Sequence, residues 1–212
     1  MPRWVWAIVT LLLCISSTNV FAHMPANAKE TLRGLPGVAV VVEPLHPDTE
    51  QDGLTHNQLL TEVEQQLKEA GIPVLTQEEW KNTLGAPYLY VNVAALKKSY
   101  GLYAYAIEVC LNQLVTLIRD QQTQEFAETW ETREVGTVGK ERLSTVRQSV
   151  AAHVAIFIRD YFSVNPRSVT RRTQQPHGGT YRENTPRYGV EVSHSLRDRL
   201  NKAVHPAIAK LL

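Results

Sequence analysis

Cysteine is nearly missing from this chain, with two in 212 residues, and one of them, Cys14, sits in an N-terminal apolar run. With that run removed only Cys110 remains, which excludes an internal disulfide and leaves stability to a packed core. Long apolar stretches are missing too. The longest, residues 4–15, falls short of the roughly 20 residues that a spanning helix requires. A complete phosphate-binding loop, a nucleophile elbow and a zinc-type ligand spacing are also lacking. These absences leave no catalytic residue, no metal ligand and no cofactor expected, and they favour a protein that is not an enzyme.

What is present begins with an export pattern. Arg3 supplies a basic start, residues 4–15 the apolar run, Ser16, Ser17, Thr18 and Asn19 a polar stretch, and Val20-Phe21-Ala22 the small or apolar positions before a cut. A signal peptide over residues 1–22 is expected, cleaved after Ala22, with a periplasmic or secreted product. Ala26-Asn27-Ala28 offers a second site further from the apolar run. Leu13 before Cys14 does not suit a lipid-attachment motif, so Cys14 belongs to the discarded run.

The net charge of +1 conceals a division. Residues 23–165 hold 12 Lys and Arg against 18 Asp and Glu, a net of −6. Residues 166–212 hold 9 against 3, a net of +6. An acidic domain followed by a basic tail is an asymmetry that hints at interaction.

The periodicities predict one α/β (α+β) domain over residues 23–165 and a weakly ordered basic tail over 166–212. Residues 37–43 form a β-branched run suited to a buried strand. Thr55-His56-Asn57-Gln58 reads as a capping box opening a helix with Leu59, Leu60, Val63 and Leu67 on one stripe and Gly71 at its end. Residues 72–75 read as a short second strand, and Thr76-Gln77-Glu78-Glu79 as a second capping box. Residues 88–96, 102–118 and 126–135 follow as an antiparallel meander. Gly136-Thr137-Val138-Gly139 reads as a loop. A last helix over 140–162 carries Leu143, Val146, Val150, Val154, Phe157 and Tyr161 at core spacing. The sum is a single mixed sheet of about five strands with two main helices, its βαβ crossover right-handed. Cys110, in an apolar strand, is expected to be buried.

Candidate chemistry sits in five places. Tyr88, Tyr90, Tyr100, Tyr103 and Tyr105 gather on one hairpin beside Lys97 and Lys98. This density suits a recognition surface, while plain strand propensity explains it equally. Asp48-Thr49-Glu50-Gln51-Asp52-Gly53 imitates the start of a calcium loop, but Leu59 stands where the closing glutamate belongs, so a solvated acidic loop is expected. His46 and His56 flank that loop without matching a zinc pattern, and His153 is placed at the edge of the packed face of its helix. The 136–140 turn, with glycines and Lys140 at a helix start, has groups that suit an anion. Arg171, Arg172, Arg182 and Arg187 give the tail its charge.

The βαβ unit, the Gly85-Ala86-Pro87-Tyr88-Leu89-Tyr90-Val91 segment, and Trp130 leading into Gly136-Thr137-Val138-Gly139 resemble a group of small secreted bacterial proteins without an assigned function, over residues 30–166. The arrangement is also similar to the N-terminal α/β domain of TolB and to curli-secretion and penicillin-binding-protein activator lipoproteins. That similarity implies an envelope adaptor that works by protein contact. The chain departs from the lipoproteins in its missing lipid-attachment motif, and from TolB in having no β-propeller.

The expected function is therefore that of a secreted or periplasmic binding or adaptor protein of the cell envelope. Its partner would be an envelope protein or an anionic polymer, with peripheral membrane contact compatible and nucleic acid not expected. One alternative is a metal-dependent hydrolase built from His46, Asp48, Asp52 and His56. Another is a structural protein that dimerises through an open sheet edge.

Overall fold

The computed structural model describes residues 28–166 of the chain. The expected signal peptide and the tail beyond Pro166, including Arg171, Arg172, Arg182 and Arg187, lie outside the described residues.

A 3-10 turn at Ala28–Leu32 leads into strand β1, Ala39–Val42. Helices α1 (Pro47–Gln51), α2 (His56–Ala70) and α3 (Gln77–Asn82) follow, then strands β2 (Tyr88–Lys97), β3 (Leu102–Leu117) and β4 (Asp120–Gly139). Helix α4, Ser144–Val164, closes the domain. The sheet is mixed, in the order β1-β2-β3-β4. β1 runs parallel to β2, and β2, β3 and β4 form the antiparallel meander. The α+β class with helices packed on one mixed sheet is as expected, with four strands among the described residues in place of about five.

The local signals act where they stand. Thr55 and Gln58 cap α2 reciprocally, and Thr76 and Glu79 do the same for α3. Gly71 ends α2 at φ 81°, the left-handed position that glycine adopts without a Cβ penalty. Residues 72–75 form only a bridge from Val38 to Val74. Pro73 has no N–H to extend the ladder, and Thr76 already caps the next helix. The 136–139 loop is also corrected. These residues are the last of β4, paired from Gly136↔Tyr105 to Gly139↔Leu102, because the 16-residue β3 brings its own partner edge that far.

One face of the sheet carries the main core. Leu59, Val63 and Leu67 of α2 and Val146, Val150, Val154 and Phe157 of α4 are buried against Leu89, Val91, Val93, Ile107, Val109 and Leu111. Trp130 meets Phe157 edge to face at 5.2 Å. Each fully buried aliphatic side chain contributes about 2 kcal/mol, so these two helices supply most of the cohesion. The opposite face carries a smaller cluster of Ala39, Val41, Trp80, Ala86 and Tyr88. Trp80 anchors α3 there, its indole N–H donating to Ala86 O at 2.7 Å.

The C-terminus of α4 is tied to the segment that feeds β1. The Tyr161 hydroxyl donates to Leu35 O at 2.9 Å. Asn165 donates from Nδ2 to Leu32 O at 2.8 Å and accepts the Gly34 N–H at 2.7 Å. Among the described residues no helix is long and apolar enough to cross a membrane.

Candidate functional site

The alternation of β2 and β3 divides the tyrosines of the hairpin. Directly paired residues share a face, and Tyr88 and Tyr90 point away from the main core while Tyr103 and Tyr105 point into it. Tyr88 is buried against Trp80 and Phe126, and that burial pushes its hydroxyl up to about 12. Tyr90 is half-buried and donates to Glu43 Oε1 at 2.9 Å; burial and this carboxylate both raise its pKa. Tyr100, at φ 62°, stands fully exposed at the hairpin tip, with Lys98 exposed beside it. The five rings therefore do not make one surface.

Tyr103 and Lys97 belong to a different assembly. The Asp52 carboxylate, 7% exposed, receives Lys97 Nζ at 2.7 Å and Lys140 Nζ at 2.6 Å. Tyr103 donates to the same group at 2.6 Å. Lys140, Lys97 and the Tyr103 hydroxyl together hold Asp52 well below the usual carboxylate range. The expected solvated acidic loop is thus corrected: residues 47–51 are the helix α1, and Asp52 is drawn inward by two cations. The lysine of the 136–140 segment is committed to that carboxylate. The clamp ties the turn before α2 to both strands of the β2–β3 hairpin beside its turn, where Lys97 and Tyr103 are register partners, and to the start of the 3-10 turn Lys140–Arg142.

The histidines go to separate partners. His46 caps α1, its Nδ1 accepting the Asp48 N–H at 3.3 Å. His56 Nε2 donates to the Val42 carbonyl at 3.0 Å. His153 is not at the edge of its helix face but in the core, 1% exposed. Thr132 Oγ1 lies 2.9 Å from its Nδ1, and Glu134 Oε2 lies 3.2 Å from its Nε2. Tyr105 and Ser149 both donate to Glu134 Oε1, at 2.7 and 3.2 Å. The helix period placed His153 between Val150 and Val154, but the polar groups that satisfy it come from β4 and no local pattern announces them.

Cys110 is fully buried, as expected, and burial pushes its thiol up to about 12. It shares the outer face with Glu108, Glu128 and Glu131, whose carboxylates offer oxygens within 4.8 Å of one another. Arg133 stands among them, at 2.7 Å from Glu108, 3.1 Å from Glu128 and 2.5 Å from Glu131. One guanidinium therefore serves three carboxylates. Burial, then the neighbouring Glu108, raises the pKa of Glu128.

Among the described residues, no helix covers most of that outer face. α3 covers only the end near Tyr88 and Phe126, through Trp80. Beyond it the cross-strand rows Ala94–Ala106–Val135 and Leu96–Ala104–Thr137 have exposed outer members and half-buried Ala106 and Ala104 at their centres, with no helix of the described residues over them. Val135 is 81% exposed and Leu96 55%. Two rows of small and apolar side chains, bounded by Tyr90 and the Arg133 cluster, form a shallow surface that a partner could approach closely. The sequence marks neither row, because the alternating strands show which residues share a face but not which face the helices leave bare.

No family model matches the chain, and no curated protein matches it.

Proposed function

We propose that this chain is an exported, non-enzymatic binding protein of the cell envelope, which meets a partner protein on the open outer face of its sheet. The observation that carries the reading is the surface of exposed Ala94, Leu96 and Val135 around the half-buried Ala104 and Ala106, which no helix among the described residues covers. An exposed apolar surface with a polar rim is the form that protein contact sites take. The polar groups support the same reading. Asp52, His56, His153, Tyr103 and Tyr105 are each spent on hydrogen bonds or ion pairs that hold elements together. The basic residues of 166–212 add a second, electrostatic contact to an anionic polymer or membrane surface, with Arg171, Arg172, Arg182 and Arg187 its carriers.

The test uses the processed, full-length chain as bait in envelope extract. Wild type should retain a defined partner that Val135→Asp and Ala106→Arg lose, with unchanged folding by circular dichroism. Equal capture by wild type and both variants would overturn the reading of the open face. Intact mass of the exported protein should begin at His23, and a chain that keeps residues 1–22 would overturn export.

A further inference from the structure

β1 is an edge strand, and its outer edge is half used. The Val38 N–H donates to Pro73 O at 3.0 Å, and the Val38 C=O accepts from Leu75 N at 2.9 Å. On the inner edge Ala39 N donates to Pro87 O and Glu43 N to Val91 O. Backbone polar groups alternate sides along a strand, so positions 39, 41 and 43 address β2 while 40 and 42 face outward with Val38. His56 takes the Val42 carbonyl. The N–H and C=O of Val40 and the N–H of Val42 have no hydrogen-bond partner among the described residues. Yet Val40 is only 7% exposed and Val42 only 5%. Main-chain groups in such positions are nearly always paired in native proteins. The same edge walls a cleft of about 420 Å³ together with Leu45, Thr55, His56, Asn57 and Leu60.

We propose that residues 188–192 of this chain, Tyr188-Gly189-Val190-Glu191-Val192, add to the outer edge of β1 as a fifth strand and cover the cleft. The segment alternates, with Tyr188, Val190 and Val192 on one side, inside a tail otherwise rich in Arg, Gln, Pro and Gly. Pro186 falls just before it, outside the pairing positions. The chain after Pro166 is 46 residues long. It departs from the point where Asn165 is bound to Leu32 and Gly34. From Gly34 to Val42 the chain spans at most about 28 Å, at roughly 3.5 Å per residue. Residues 167–187 exceed that reach more than twofold. Tethering makes the pairing intramolecular, at an effective concentration on the order of millimolar, so even a short strand holds the site. Strand addition satisfies the three free groups and places alternate side chains against the cleft. This edge is distinct from the open outer face, so the two proposals stand or fall separately.

Amide hydrogen exchange on the full-length processed chain tests the pairing. In wild type the Val40 and Val42 amides should be protected. In Val190→Pro, which removes a strand donor, they should exchange about tenfold faster or more, while the Val38 and Ala39 amides, held by Pro73 and Pro87, stay unchanged. Arg171→Pro, outside the segment, should keep wild-type protection. Equal exchange at Val40 and Val42 in wild type and Val190→Pro would overturn the proposal. So would protection that rises with protein concentration, which would assign the edge to a second copy.

Discussion

The Tyr103 hydroxyl lies 2.6 Å from Asp52 Oδ2, which joins the core face of β3 to the turn between α1 and α2. Lys97, at the end of β2, and Lys140, just after β4, close on the same carboxylate. Four separate pieces of chain thus meet on one negative charge.

That arrangement predicts a pH-dependent loss of stability. Lys140, then Lys97, then Tyr103 lower the Asp52 pKa from its ordinary 3.8. A carboxylate depressed by folding binds fewer protons in the folded state. Its stabilising contribution is therefore complete above pH 3.8 and declines as pH falls below that value. Urea midpoints of wild type and Asp52→Asn should differ most at about pH 6, and the difference should shrink steadily as pH falls from about 3.8 to about 2.5 without vanishing there, because the folded carboxylate is held well below that range. A difference that stays constant across that range would contradict the clamp.

Thr49 gives the opposite sign. Its hydroxyl is buried at 0% exposure with no hydrogen-bond partner among the described residues. Burying an unpaired hydroxyl costs free energy, and valine has the same shape without it. Thr49→Val should stabilise the protein by about 1 kcal/mol, read as a higher denaturation midpoint at unchanged slope. A destabilised variant would mean that the hydroxyl is bonded.

Much of the fold was legible because its signals are local. The capping boxes Thr55–Gln58 and Thr76–Glu79 and the Gly71 stop act within one turn of helix. The stripes of α2 and α4 and the alternation of β2 and β3 need only a period. What escaped is set by distant partners. Nothing near Asp52 announces Lys97 or Lys140, so the segment reads as a solvated loop. The 136–139 segment reads as a loop because its glycines are turn formers, and only the length of β3 makes it a strand. His153 shows the same limit, since Thr132 and Glu134 reach it from another element. The open outer face depends on where helices do not pack, which no periodicity records.

Cys110 should be inert in the native protein. It is fully buried, and its thiol is pushed up to about 12 by burial first and then by Glu128 and Glu108. Thiolate is the reactive form, so alkylation near neutral pH should wait for unfolding. Iodoacetamide labelling of the processed chain should be negligible in buffer and complete in denaturant. Rapid labelling without denaturant would show that β3 opens locally.

Gly136 and Tyr105 make the sharpest mutational test, because the sheet leaves no room between them. They are register partners on β4 and β3, and a Cβ on Gly136 would stand 2.6 Å from the Tyr105 hydroxyl oxygen and 2.7 Å from Cζ. The ring cannot simply swing aside, since its hydroxyl is held by Glu134 at 2.7 Å. Gly136→Ala should therefore destabilise by about 1–3 kcal/mol, the range for overpacking a filled site. In strands alanine ordinarily outperforms glycine, so the loss would have the reverse of the backbone-entropy sign. Tyr105→Ala removes the ring and should itself be destabilising, but adding Gly136→Ala to it should then cost nothing or help. The coupling between the two substitutions, measured as a double-mutant cycle in denaturant, should be of the same order as the single loss, about 1–3 kcal/mol. Additive effects would show that the loss at position 136 has another source, and that the ring does not lie over the glycine.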